Sequence, residues 1–316
     1  MKKNPEVIKR TVLEMGGKIT EVIPERGCFY VEIKDKKFLI TRKIAISKNL
    51  ITSGKVAKYK DLTYKLLKEK GLPTPKTIGV YKKTFNRDSL LISLDKLKKP
   101  LIIKDAEGSQ SNGIYPFIKT SVEAIDLIEK LLHKHPRLVV QEMVFGAEYR
   151  LLVLDNKLIG ALKMIPPRVF GDGKKTIKEL IHAKQRELEK KTPFDKDLDE
   201  ILEKQGYSLD HILGENKFAF IKKSSALAEG GETEDVTDTI NPSIIEIAAQ
   251  AADALNKYLV GIDIICEDIA KSPDTQELNI LEINAKPDLY VHYYPTIGTS
   301  RDVVREIVEF MIKLEK

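Results

Sequence analysis

Apolar and polar positions repeat along this chain with one of two periods, and the period assigns the elements. Residues 5–15 carry apolar side chains at helical spacing and run into Gly16-Gly17, which predicts a helix and its stop. Three stretches near 18–23, 28–33 and 37–41, separated by Pro24-Glu25-Arg26-Gly27 and Lys34-Asp35-Lys36, read as short strands joined by turns. Leu62, Leu66 and Leu67 share one side of a helix over 56–70, with Gly71 as its stop and Pro73 and Pro75 beyond. A strand at 76–81, a helix around 87–97 and the strand Leu101-Ile102-Ile103-Lys104 lead into a small polar loop, 105–113, with glycines at 108 and 113. Next come a strand near 114–118, a helix from Ser121 to about Leu132 and a strand over Leu138–Glu142. Segments 148–154 and 158–165 turn through Asp155-Asn156-Lys157 as an antiparallel hairpin. Residues 174–215 are polar and mostly helical, with a break at Thr192-Pro193, and have the look of an insertion. A strand at 217–222, a loop through Gly230-Gly231, a helix at 243–257, strands at 259–266 and 277–283 and a helix at 300–315 complete the chain. Short strands in hairpins, interleaved with helices, predict an α+β architecture with several lobes.

The most informative stretch is Leu278-Asn279-Ile280-Leu281-Glu282-Ile283-Asn284. On a strand, residues two apart face the same side, so this run buries aliphatic groups and aims Glu282 and Asn284 at one point. Two neighbouring hard oxygen donors suggest a cation. Upstream, Leu259–Ile265 places a single carboxylate, Asp263, in a segment otherwise fit for a buried strand. An unpaired charge there is costly, so Asp263 needs a compensating positive charge. Magnesium held by one or two carboxylates plus substrate phosphates meets that need. A strand-end carboxylate that faces solvent or pairs with a lysine is the competing reading.

The loop 107–113 lies between two strands, so it is neither a Walker A nor a Rossmann turn. Its Gly and Ser residues, Ser109 and Gly113 among them, allow backbone N–H groups to fold over a triphosphate, with Lys104 as a point charge at the end of the preceding strand. A flexible surface hairpin is the alternative. From Gln141 to Arg150 a buried strand passes through an apolar linker, Met143-Val144-Phe145, and Gly146 into a strand that starts Glu-x-Arg. Such a linker suits a purine and Glu148 suits ribose hydroxyls. Glu148 and Arg150 share a strand face, however, and can simply pair with each other.

Composition narrows the class. Of 316 residues, 42% are apolar and 32% charged, as in an ordinary globular protein. No segment reaches the roughly 18 consecutive apolar residues a membrane span needs, and the basic N-terminus lacks the apolar core of a signal peptide. Cys28 and Cys266 are far apart and lack CxxC spacing, which points away from a disulfide framework or a zinc site and towards a reducing cytoplasm. Residues 1–104 hold 26 Lys and Arg against 10 Asp and Glu, whereas the whole chain carries only +6. These basic residues are dispersed, with no helix-turn-helix or RNP-type strand beside them. They read as a solvated surface facing an anionic substrate rather than as a nucleic-acid platform.

The order of these features resembles the ATP-grasp superfamily: Lys60 on a helix, Lys104 before a Gly/Ser loop, a linker with Glu148, then Asp263 and Glu282-x-Asn284. ALKMIPPRVFGDGKKTIKEL at 161–180, EGGETEDVTD at 229–238, VGIDII at 260–265 and EINAKPDLYVHYYPTIG at 282–298 are similar to the ATP-grasp module of cyanophycin synthetases and bifunctional glutathione synthetases. The resemblance covers roughly residues 42–315, including Thr52-Ser53-Gly54. The first forty or so residues resemble the remnant of a leader domain, and no Mur-ligase-like C-terminal domain is expected after the module.

The resemblance implies an α+β ATP-grasp fold with an N-terminal lobe at 1–74, a central lobe at 75–145 and a C-terminal lobe at 146–316 that carries a helical insertion near 174–215. Nucleotide would lie between the last two lobes. It further implies Lys60, Lys104 and Lys163 on the phosphates, adenine against Gln141 and the Met143 backbone, ribose on Glu148, and Mg2+ on Asp263, Glu282 and Asn284. Gly230-Gly231 would approach an acyl phosphate, and Arg150 would stabilise its oxyanion. The implied activity is an ATP-dependent carboxylate–amine ligase, acting on amino acids or a peptide through an acyl phosphate and releasing ADP and phosphate. No nucleic-acid or membrane partner is expected, and a homo-oligomer is compatible with it.

The chain departs from the family pattern at Asp105 for Pro, Gln141 for Glu, Met164 for Arg, and Ala228-Glu229 before Gly230-Gly231, so the substrate does not transfer. A peptide-modifying macrocyclase with the same chemistry and a non-catalytic nucleotide-binding regulator are the alternatives. His133 and His135 are expected to cap a helix end. His292 shares the parity of Glu282 and Asn284 if the strand continues past Pro287; it either shapes the acyl end of the site or packs among tyrosines.

Overall fold

The computed structural model describes residues 3–23, 27–41, 43–46, 56–108, 113–187 and 197–314. They divide into two units, Met1–Leu162 with Asp235–Tyr294 and Thr299–Lys316, and Lys163–Glu234 with Pro295–Gly298. The helices are α1 (Lys3–Glu14), α2 (Lys60–Glu69), α3 (Arg87–Asp95), α4 (Ser121–Leu132), α5 (Ile177–Glu187), α6 (Leu198–Glu203), α7 (Pro242–Ala254), α8 (Tyr290–Tyr293) and α9 (Val303–Leu314). The strands are β1 (Lys18–Ile23), β2 (Cys28–Ile33), β3 (Lys36–Thr41), β4 (Thr77–Tyr81), β5 (Leu101–Asp105), β6 (Ile114–Ile118), β7 (Arg137–Glu142), β8 (Ala147–Leu154), β9 (Lys157–Ile165), β10 (Arg168–Phe170), β11 (Phe218–Phe220), β12 (Glu232–Asp235), β13 (Leu259–Cys266) and β14 (Asn279–Asn284).

In the larger unit, β1-β2-β3 form an antiparallel meander, and a second sheet has the order β4-β7-β5-β6. The largest sheet has the order β12-β9-β8-β13-β14. Alternation on β8 turns Tyr149, Leu151 and Val153 to one face, where they pack with Ile244, Ala248 and Ala251 of α7 and Leu67 of α2. The opposite face is divided along its length. Leu152 and Leu154 are buried with Val7, Ile8 and Val12 of α1 and Val304 and Ile307 of α9, while Glu148 and Arg150, on that same side, stay half-buried. The β4-β7-β5-β6 sheet buries Val80, Leu101, Ile103 and Val140 against Leu90 and Leu94 of α3 and Ile125 and Ile128 of α4. The smaller unit has its own core of Val169, Ile177, Ile181, Leu198, Leu202, Leu213 and Ala219.

The mixed helix-and-sheet reading of the sequence holds, and three short elements differ from it. Strands β10 and β12 have only three and four residues, too few for a visible period. The strand-like continuation through His292 is overturned: α8 forms there instead. Pro287 has no N–H to extend the ladder, and its ring lies against Gly261, where an added Cβ would come within 3.1 Å of it. Asn4 Oδ1 then accepts the amides of Leu289 and Tyr290 at 3.0 Å, and Asp288 Oδ1 accepts Tyr290 N–H at 3.1 Å, which starts the turn. The expected break at Thr192-Pro193 lies outside the described residues.

Candidate functional site

Cross-strand register builds the site. Asp263 on β13 stands opposite Arg150 on β8 and opposite Glu282 on β14, so three charged side chains form a row across three strands. Regular alternation would put Ile280 on the side of Glu282. A bulge prevents this: between Asp263/Glu282 and Ile264/Ile280 the register shifts by one residue at Leu281. Ile280 and Ile283 both remain in the core, while Glu282 stays beside Asp263.

Asp263 is only 5% exposed, and the positive charge it needs comes from the protein itself. Arg150 Nε donates to Oδ1 at 2.8 Å and Nη2 to Oδ2 at 2.9 Å, a bidentate pair. The alternative in which Arg150 pairs with Glu148 is therefore not the arrangement found. The Asp263 charge drives the Arg150 pKa upward, against the opposing effect of burial. Asn284 Nδ2 is 3.4 Å from Asp263 Oδ2.

Two lysines enter from other elements. Lys60 opens α2; its Nζ is 3.8 Å from Glu282 Oε1 and also donates to the Gly108 carbonyl. Lys104 lies on β5 within the electrostatic reach of Glu282, Lys60 and Glu148. Desolvation pulls its pKa down to about 8, with Lys60 adding to the fall and the two glutamates opposing it. Desolvation likewise raises the Glu282 carboxyl, opposed by Lys60, Lys104 and Arg150.

The loop root explains one departure from the family pattern. Asp105 N–H donates to the Gly113 carbonyl at 2.9 Å, a bond no proline makes. Asp105 Oδ1 accepts Glu107 N–H at 3.1 Å, and Oδ2 lies 3.0 Å from His135 Nδ1. Gly113 has φ +75°, and a Cβ there would come 3.0 Å from that of Asp105. His133 is the C-cap of α4, whereas His135 reaches the loop root, a role that helix-end position alone does not reveal. Ser109 lies outside the described residues.

Along the linker, Gln141 is fully buried; Nε2 donates to Thr77 Oγ1 at 2.8 Å and Oε1 has no partner among the described residues. The Met143 amide donates to the Pro100 carbonyl at 3.0 Å. Among the described residues, the amides of Val144, Phe145 and Gly146 make no backbone bond. Lys163, half-buried on β9, is the first residue of the smaller unit. There the GDGxxTIxEL segment serves the fold: Gly171 leaves no room for a Cβ against the Leu213 and Gly214 carbonyls, Asp172 accepts the amides of Lys174 and Lys175, and Thr176 with Glu179 forms a capping box. Met164 is buried, and Glu229 pairs with Lys222 at 3.5 Å.

Among the described residues no group of three or more His, Cys, Asp or Glu side chains is placed to hold a metal. The donors at hand are two carboxylates and an amide, all hard oxygen ligands. Such a set suits Mg2+ that takes its remaining ligands from phosphates and water. Asn284 turns Nδ2 towards Asp263; an amide flip would present its oxygen instead, since N and O are distinguished only by the hydrogen-bond network.

No protein-family model matches the chain. Over 271 residues it is 29% identical to a cyanophycin synthetase of Crocosphaera subtropica, covering 81% of this chain and 30% of that protein. It is 30% identical over 265 residues to a glutathione biosynthesis bifunctional protein of Streptococcus mutans, covering 79% of this chain and 34% of the relative. A crystal structure of a bifunctional glutathione synthetase from Pasteurella multocida superimposes with a TM-score of 0.73 at 19% identity, over 98% of this chain and 43% of that one. The chain thus spans about a third of the length of the curated relatives it matches.

Proposed function

We propose that this chain, similar over 81% and 79% of its length to a cyanophycin synthetase and a glutathione biosynthesis bifunctional protein, belongs to the ATP-grasp superfamily and is an ATP-dependent carboxylate–amine ligase acting on an amino acid or short peptide. The observation that carries the reading is the row Arg150–Asp263–Glu282 with Lys60 and Lys104 beside it. It concentrates cations and hard oxygen donors where a triphosphate and its metal can be held together.

In this reading the triphosphate lies between the β4-β7-β5-β6 sheet and the charged face of β8, β13 and β14. Lys60 and Lys104 neutralise phosphate oxygens, and Glu148 takes the ribose hydroxyls. The linker amides that make no backbone bond read the purine; with the Met143 amide already engaged by Pro100, the adjoining Val144 supplies the N–H. Asp263, Glu282 and Asn284 hold Mg2+, which when bound supplies charge neutralisation on the phosphates. The substrate carboxylate attacks the γ-phosphoryl, ADP leaves, and an amine then displaces phosphate from the acyl carbon. Arg150, held by Asp263, offsets negative charge developing on the attacked carbonyl. Catalysis of this kind is mainly positioning and electrostatic stabilisation. Neither cysteine forms a disulfide and no described helix is long and apolar enough to cross a membrane; we place the reaction in the cytoplasm.

The test is ADP release against a panel of amino acids and short peptides, with and without an amine acceptor. The reading expects ADP and an amide product in equal amounts with at least one acid–amine pair. Nucleotide binding without turnover across the panel would point instead to a regulatory protein, and turnover confined to a long peptide substrate would point to a peptide-modifying enzyme.

A further inference from the structure

Within the smaller unit, β10 and β11 place Phe170 opposite Phe218 and Arg168 opposite Phe220. The Arg168 guanidinium lies over the rings of Phe170 and Phe218, 4.9 and 5.2 Å from their centroids. Its Nε donates to Glu232 Oε2 at 2.9 Å. Lys184 Nζ donates to the other Glu232 oxygen at 3.0 Å and to the Arg168 carbonyl at 2.7 Å. Two cations therefore share one carboxylate, and Arg168 and Glu232 each keep only 13% of their side chains exposed. One positive charge is left uncompensated within this cluster.

That charge has a definite edge. Nη1 and Nη2 of Arg168 have no hydrogen-bond partner among the described residues, and they are not among the unpartnered atoms sealed from solvent. The outer side of the guanidinium is thus not wholly sealed, with 13% of the side chain exposed, while Glu232 and the two rings hold its plane. A guanidinium fixed in this way is a preorganised two-pronged donor for a planar anion, since little side-chain entropy remains to be lost on binding. Phe170 and Phe218, 52% and 40% exposed, stand beside that edge and offer apolar surface to whatever is attached to the anion.

We propose that this cluster is a recognition site for a carboxylate carried on an apolar body, such as the C-terminal end of a short peptide. The carboxylate takes the two Nη groups of Arg168, and the adjoining side chain rests on Phe170 and Phe218. The site is independent of the ligase reading, because its occupation requires neither nucleotide nor turnover.

The experiment is calorimetric titration of the full chain, without nucleotide, with three probes: alanyl-phenylalanine, its C-terminal amide, and inorganic phosphate. Saturable binding of the free acid is expected, with the amide and phosphate weaker by roughly tenfold or more, because the amide cannot accept two charged hydrogen bonds and phosphate has no apolar body. Arg168→Lys keeps the charge but loses the fork, and should weaken the acid by a similar factor. Phe170→Ala removes an exposed ring, so the fold should tolerate it while affinity falls several-fold. It keeps the test open if Arg168→Lys fails to fold. Absence of saturable acid binding, equal binding of acid and amide, equal binding of phosphate, or affinity unchanged by both substitutions would each overturn the proposal.

Discussion

Replacing Arg150 with Met tests how the charged row is held together. Asp263 and Arg150 expose only 7% and 23% of their side chains, so the substitution leaves a desolvated carboxylate without its bidentate partner. Breaking a buried pair by removing one member costs about 3–5 kcal/mol. Since Arg150 is partly exposed, the lower end applies, about 3 kcal/mol. With roughly 2–4 °C per kcal/mol for a unit of this size, the melting temperature should fall by roughly 6–12 °C. Arg150→Met combined with Asp263→Leu should recover most of the loss, because no buried charge remains. Urea unfolding followed by far-ultraviolet circular dichroism measures all three proteins. A deficit below about 1 kcal/mol near neutrality, or a double variant no better than the single, would refute this account of the pair.

Lys104, with its pKa near 8, should lose its charge in the mildly alkaline range, so kcat/KM for ATP should fall as pH rises through that value; Lys104→Arg should move the falling limb upward, and an unmoved limb would take Lys104 off the phosphates. Glu282→Gln changes charge but little shape, so turnover should drop by roughly two orders of magnitude or more with the melting temperature nearly unchanged; near-normal turnover at ordinary magnesium concentration would remove Glu282 from the metal site. His292 is fully buried with neither ring nitrogen partnered among the described residues, and burial pulls its pKa down to about 3. Stability should therefore decline as pH falls below the unfolded value of about 6.5. In His292→Met, which has no proton to take up, the difference in urea midpoint between neutral and mildly acid pH should shrink, and an unchanged difference would mean that other groups carry the acid sensitivity.

Much of the fold was legible because period is a local property. The apolar spacing ahead of Gly71 marked a helix, and α2 forms over Lys60–Glu69, but the face it buries is Thr63, Tyr64 and Leu67 while Leu62 is exposed, so the side assigned from Leu62, Leu66 and Leu67 is corrected by the packing. The hairpin around Asp155-Asn156-Lys157 was legible for the same reason: Asp155 and Asn156 take positive φ, which their side chains tolerate better than most. Elements of three or four residues, β10, β12 and α8, carry too few positions for a period to register.

The site divides along the same line. Sequence alone determined which residue types were out of place for their environment: a carboxylate in an otherwise apolar strand at Asp263, an acidic–amide pair at a strand end at Glu282 and Asn284, and lysines at the edges of apolar runs. It also determined that Asp263 needed a positive charge, because desolvation is a cost of the residue and its surroundings. What met that need was decided only by tertiary structure. Arg150 is 113 positions away in the chain and reaches Asp263 through the pairing of β8 with β13. Glu282 reaches the same row only because a bulge at Leu281 shifts the register of β14. His135 meets Asp105, and Arg168 is clasped by Glu232 and Lys184, through the same kind of distant contact. The physical reason is that periodicity and propensity act over a few neighbouring residues, whereas charge pairing and burial depend on which distant strands and helices come to lie side by side.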